Sequence, residues 1–198
     1  MLTKQEADKL IKIRGESRGV NIKIDLDYVL EKQGKPGLKK VEAKMTELGY
    51  PIKYKDIKQM GFYPLGLEAV VLLCIRDILN LDEEGVEKMG AAVVKFSIFM
   101  KILMKYFGSL SFVAKEVPKN WKEHYTVGSL EMTDFKEGKN GYAILRQKNF
   151  KIHPVYCAIH RGYFKKVAQM VVKSTVSCEE TKNVFKGDKY NEFVLTWI

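Results

Sequence analysis

Paired cysteines, clustered histidines and glycine-rich loops are all missing from this sequence of 198 residues, and each absence removes a class of function. The three cysteines, Cys74, Cys157 and Cys178, lie far apart with no Cys-x-x-Cys among them. That argues against a disulfide framework or a zinc ribbon and suits a reducing compartment. No Gly-x-Gly-x-x-Gly and no glycine-rich run ending in Lys-Ser/Thr occurs, so phosphate-cradling nucleotide chemistry has no support. Long hydrophobic runs are lacking too. The most apolar stretches, Leu65–Ile75 and Ala91–Met104, fall short of the roughly 20 residues of a spanning helix, and the second carries Lys95 and Lys101. The N-terminus, MLTKQEADKLIKIRGESRG, has charges where a secretory signal needs an apolar core. Together these absences predict a cytoplasmic protein with no transmembrane segment.

What is present is an ordinary globular composition, 46% hydrophobic and 29% charged, at a length that can bury one continuous core. Lys and Arg number 34 against 24 acids, a formal charge of +10. The basic residues are scattered along the chain, so a solvated surface is the default and nucleic-acid binding the weakest reading. The expectation is a single domain over 1–198, with a region of small helices at 1–60, core helices at 61–118 and a ββαββ region at 119–198.

Hydrophobic periodicity fills in these regions. An amphipathic helix ends at Gly15, and Val20–Ile24 alternates as a short strand or extended piece. Asp25 or Asp27 caps a helix that Gly34 stops, and Pro36 opens another that ends at Gly49. Leu65 to Leu79 is apolar on most of its surface and belongs to the core. Asp82-Glu83-Glu84 starts a long helix toward Tyr106, and Pro118 closes the segment after it. Thr126–Phe135 and Tyr142–Phe150 read as a hairpin around an Asn-Gly turn. Pro154 to Val172 reads as a helix, and Thr175–Phe185 with Lys189–Trp197 as a second hairpin around Gly187. The predicted fold class is α+β: a four-stranded antiparallel sheet in the order strand-strand-helix-strand-strand, packed with a layer of N-terminal helices.

Candidate chemistry is sparse. Cys157 and His160 are three apart on a predicted helix, and a zinc site would need a further ligand such as Cys178. The plainer reading makes Cys157 a small buried hydrophobe and His160 a boundary residue. A Cys-His nucleophile has no orienting carboxylate nearby in sequence. The sequence therefore predicts no catalytic residue, no metal and no cofactor, and a protein that is not an enzyme. A Phe/Met/Leu stripe between Phe96 and Phe107 reads as core, as a dimer face or as the wall of an apolar ligand pocket. In the last case the ligand-binding residues are Phe96, Phe99, Met100 and Leu103, reached from Tyr156 and His160.

The runs Gly162-Tyr-Phe-Lys-Lys-Val-Ala-Gln-Met-Val-Val, Cys178-Glu-Glu-Thr and Phe185-Lys-Gly187-Asp188-Lys-Tyr-Asn-Glu-Phe193-Val-Leu-Thr-Trp197 resemble the ending of 4-vinyl-reductase-type domains. Those domains resemble haem-NO-binding domains and TRAPP vesicle-tethering subunits in fold. The resemblance implies a homodimer with a cavity for a small hydrophobic molecule, serving as the sensory part of a regulator whose signal passes to a partner protein. A scaffold subunit of a complex, TRAPP-like and without ligand, is the alternative. Relatives with a cysteine shortly after the Gly-Asp turn have it where this chain has Asn191, which disfavours metal. The Tyr-x-Ser-x-Arg motif of haem-binding relatives is absent, which disfavours haem.

Overall fold

The computed structural model describes residues 1–96 and 109–198, with Phe96 placed by its backbone alone. The chain starts with α1 (Lys4–Ile11), where the Thr3 hydroxyl accepts from the Glu6 N–H and the Glu6 carboxylate accepts from the Thr3 N–H, a capping box. Next comes β1 (Glu16–Arg18), which pairs antiparallel with β2 (Phe62–Pro64) in a two-stranded ribbon. Neither strand is visible in the hydrophobic pattern, because both are too short to show alternation.

The α2 helix (Gly19–Glu47) overturns the expectation of an extended Val20–Ile24. Ile22 and Ile24 are buried, as alternation suggested, but Asn21 and Asp25 also point inward, one helical turn apart, into a cavity described below. The polar positions thus mark a lined interior, not a solvent face. Gly34, at φ 62° and ψ −161°, breaks α2 ahead of Pro36, where the sequence placed a boundary between two helices. The α3 helix (Leu65–Ile78) is buried over most of its length. The Asp82 carboxylate caps α4 (Glu83–Val93) by accepting from the Gly85 N–H at 2.7 Å. A 3-10 turn, Val94–Phe96, follows. The predicted continuation toward Tyr106 lies outside the described residues.

The α5 helix (Leu110–His124) runs through Pro118, which the sequence took as its stop. Burial of Val113 and Trp121 on either side holds the helix across the backbone bond that proline cannot make. The four-stranded antiparallel sheet is as expected: β3 (Ser129–Lys136), β4 (Gly141–Lys148), β5 (Val176–Lys182) and β6 (Asn191–Trp197), in spatial order β3-β4-β6-β5. The inner strand β4 alternates burial along its length, and β6 does so from Phe193 to Trp197. Between the hairpins runs α6 (Val155–Val172), packed against β5 and β6 on one side and α4 on the other.

Glycine allows that second contact. A Cβ at Gly162 would lie 1.9 Å from the Glu87 carbonyl oxygen, and one at Gly90 would lie 2.1 Å from that of Ile159. The two helices therefore touch backbone to backbone. Arg161 reinforces the seam, donating to Glu87 at 2.6 Å and to Glu83 at 2.8 Å. No helix among the described residues is long and apolar enough to cross a membrane.

Candidate functional site

A cavity of about 120 Å³ lies where α2, α3, α5 and α6 converge. The α2 helix supplies Asn21, Ile24 and Asp25, and α3 supplies Glu68 and Leu72. From α5 and its end come Asn120, Trp121, His124 and Tyr125, and from α6 come Tyr156, Ile159, His160, Tyr163 and Phe164; Val93 and Leu130 complete the wall. The repeated spacings of three and four place each helix's contributors on one face. A smaller apolar hollow of about 60 Å³ adjoins it, sharing Asn120, Leu130, Tyr163 and Phe164.

The polar side of the cavity is crowded but incompletely paired. The Tyr125 hydroxyl donates to Glu68 Oε1 at 3.2 Å. Ser17, Asn21 and Tyr156 also stand close enough to favour the ionised carboxylate. Their contacts fall short of hydrogen-bonding geometry, however. Ser17 Oγ, Asn21 Nδ2, Tyr156 Oη, Asn120 Nδ2 and the second Glu68 oxygen are all buried without a partner among the described residues. Burial pushes the Glu68 carboxyl up to about 7 against the pull of these donors. Asp25, 6% exposed, makes no side-chain hydrogen bond among the described residues. Its carboxyl is raised well above the ordinary range, by burial first and by the neighbouring Glu68 charge second.

The two lining histidines are each held from one side. His124 Nδ1 lies 2.6 Å from Asn21 Oδ1, and burial lowers its affinity for a proton. His160 joins a buried chain that leads to the sheet. The Val184 N–H donates to Asn191 Oδ1 at 2.8 Å, and Asn191 Nδ2 donates to Gln147 Oε1 at 2.8 Å. Gln147 Nε2 is thus left to donate to His160 Nδ1 at 3.1 Å, which assigns the imidazole proton to Nε2. Burial pushes this imidazole down to about 3, and the ring stacks on Phe164 with centroids 5.4 Å apart.

Of the residues the sequence put forward, Tyr156 and His160 do line the cavity. Phe99, Met100 and Leu103 lie outside the described residues, as does the Phe96 side chain. Cys157 and His160 do not converge: Cys157 Sγ sits 3.6 Å from Asn183 Nδ2, whereas His160 faces the cavity. His160 is also buried, not a boundary residue. Burial holds the thiols of Cys74, Cys157 and Cys178 at about 12, leaving them protonated. No group of three or more His, Cys, Asp or Glu side chains suited to a metal is found among the described residues. Sequence reasoning missed Asp25, Glu68, Trp121 and Tyr125. A signal existed for Glu68, the one acid in the otherwise apolar run Leu65–Ile75. Asp25 gave none, since it reads equally well as a helix cap.

No protein-family model and no curated protein matches the chain. Solved structures do. An H-NOX protein from S. oneidensis in the Fe(II)NO state is 12% identical, covering 91% of this chain and 99% of that one at a TM-score of 0.66. An oxygen-binding H-NOX domain related to soluble guanylate cyclases is 11% identical, covering 91% and 94% at a TM-score of 0.65. The fold is that of the H-NOX domains. The haem-NO-binding side of the C-terminal resemblance thereby holds at the level of fold, whereas no family model supports the 4-vinyl-reductase or TRAPP assignment.

Haem, the group named for the H-NOX family, does not fit the described residues. The cavity and its adjoining hollow, about 120 and 60 Å³, together match the roughly 150 Å³ that holds one benzene ring, whereas haem carries four pyrrole rings. Haem also brings two carboxylates of its own, whereas the described lining contains no lysine or arginine and already buries two acids.

Proposed function

We propose that this chain is a non-enzymatic sensor domain, acting as a homodimer, that takes one small and largely apolar molecule into the cavity between α2, α3, α5 and α6. The observation that carries this reading is the cavity itself: apolar and aromatic walls surround a few polar atoms that have no partner among the described residues. An unmade hydrogen bond at a buried group costs about 1–3 kcal/mol, so such groups persist where a ligand or water completes them. A bound molecule would touch α2 and α3 on one side and α5 and α6 on the other, giving it leverage over their packing. The protonated thiols and the proton-poor buried histidines support a binding role over a catalytic one. A ligand-free scaffold would show a broad exposed apolar patch. The large exposed hydrophobics among the described residues are instead Met1, Met60, Phe62 and Ile198, two of them chain ends, and Phe62 lies under the Arg18 guanidinium.

Native mass spectrometry of the purified protein, followed by denaturation and extraction, tests this reading and gives the oligomeric state. The expected result is a dimer carrying one single-ring molecule per chain, absent from an Ile159→Trp variant that fills the cavity. A protein that purifies empty and whose melting temperature responds to no compound in a panel of monocyclic amines, alcohols and acids would overturn it.

A further inference from the structure

Among the described residues, the two carboxyls of the cavity have no counter-charge. Asp25 and Glu68 come from different helices, are 6% and 2% exposed, and face the same hollow. The described lining has no lysine or arginine, and the leading influences on both acids come from burial and from uncharged or acidic neighbours among the described residues. The titratable groups that face them from α5 and α6 are no help. Burial keeps His124 and His160 short of a proton, and the Tyr125 and Tyr156 hydroxyls hold theirs well above the usual phenol range. Two carboxyls so placed stay protonated or receive a positive charge from outside.

The rest of the wall suits that charge. Trp121 and Tyr125 lie with ring centroids 4.6 Å apart, and His160, with centroids 5.9 Å from Trp121 and 5.7 Å from Tyr156, links them to the Tyr156 ring in the same wall. Indole and phenol faces attract cations, most strongly where water is excluded.

We propose that the cavity binds a small organic cation, an amine or quaternary ammonium on a body no larger than one ring, with Asp25 and Glu68 as its counter-charges and Trp121, Tyr125 and Tyr156 as its aromatic wall. This rests on the reading of the cavity as a ligand site and narrows the ligand's chemical class. Asp25 is the principal partner, because Glu68 already has donors around it whereas Asp25 has none. The smaller apolar hollow beyond Tyr163 and Phe164 extends the space on the side away from the acids.

The test is isothermal titration calorimetry of the full chain at pH 7.5 with benzylamine and its neutral counterpart benzyl alcohol, with tetramethylammonium as a ring-free cation. Benzylamine binding at least tenfold more tightly than benzyl alcohol is expected, with proton release on binding. That preference should vanish in Asp25→Asn and weaken in Glu68→Gln. Both substitutions keep side-chain shape and remove a buried ionisable group, so the variants should fold. Benzyl alcohol binding as tightly as benzylamine, or a preference that survives in both variants, would overturn the cation and leave the ligand site standing. No binding by any of the three probes would likewise overturn the cation, while the ligand site itself stands or falls on the mass spectrometry and the wider panel.

Discussion

Two buried polar regions meet at His160, and they are built to different standards. On the sheet side, Val184, Asn191, Gln147 and His160 form an unbroken chain in which donors and acceptors are matched. Alongside it, α4 and α6 touch through Gly90 and Gly162 with no room for a methyl group. On the helical side, Glu68, Asp25, Tyr156, Asn21 and Asn120 sit around open space with hydrogen-bonding capacity left over. A fully satisfied network specifies structure, and a partly satisfied one costs stability unless something else completes it. The difference suits the sheet side to holding the fold and, on the proposed reading, the helical side to holding a ligand.

The comparison breaks most readily at the seam. Gly162→Ala sets a methyl group against the backbone of α4, which no rotamer can relieve, and should cost about 3 kcal/mol, read as a fall in the urea midpoint. Asn191→Ala comes next. It strands the Val184 N–H and Gln147 Oε1 in the interior and should cost about 2 kcal/mol in the same assay.

In the cavity the sign reverses. Glu68 titrates at about 7 in the fold against an ordinary 4.5, so its favourable contribution is complete below pH 4.5 and is lost as pH rises through 7. Glu68→Gln removes that loss. The variant should match wild type near pH 4 and exceed it at pH 8 by about 3 kcal/mol, roughly 1.4 kcal/mol for each pH unit between 4.5 and 7, a value that already contains the pull of the Tyr125 hydroxyl. His160 has the opposite slope, since its depressed value gives stability that is lost as pH falls below 6.5. It is present in both proteins and cancels from the difference. A Glu68→Gln variant less stable than wild type at pH 8 would place Glu68 with the structural network.

Much of the sheet side was legible in the sequence and little of the cavity was. Both hairpins and α6 followed from alternation, the Asn-Gly turn and the 3.6-residue period of Val155 to Val171, because a sheet face and a helix stripe leave a local pattern. Asn191 was singled out as a departure from the resemblance, and the structure gives it the role of a link between Val184 and Gln147. The cavity draws on four helices distant in sequence, so no single window contains it. Its polar residues even misled: Asn21, alternating with Val20, Ile22, Lys23 and Ile24, imitated a strand, and Asp25 imitated a helix cap. The Phe/Met stripe attracted attention by composition, whereas the acids that mark the site are single residues in apolar surroundings.

The smallest effect is also the one most specific to the cavity. Truncating a buried, hydrogen-bonded tyrosine hydroxyl ordinarily costs about 1 kcal/mol and strands its partner. Tyr156 Oη has no partner to strand among the described residues. At pH 5, where Glu68 is protonated, Tyr156→Phe should therefore leave stability unchanged or raise it by less than about 1 kcal/mol, because an unpaired polar atom leaves the interior. At pH 8 the hydroxyl dipole helps to stabilise the Glu68 charge, and its removal should cancel that gain. Thermal melts at the two pH values read the difference. A loss of 2 kcal/mol or more at both would mean that Tyr156 is bonded as firmly as Asn191, and the division of the interior into a structural side and a ligand side would fail at this residue.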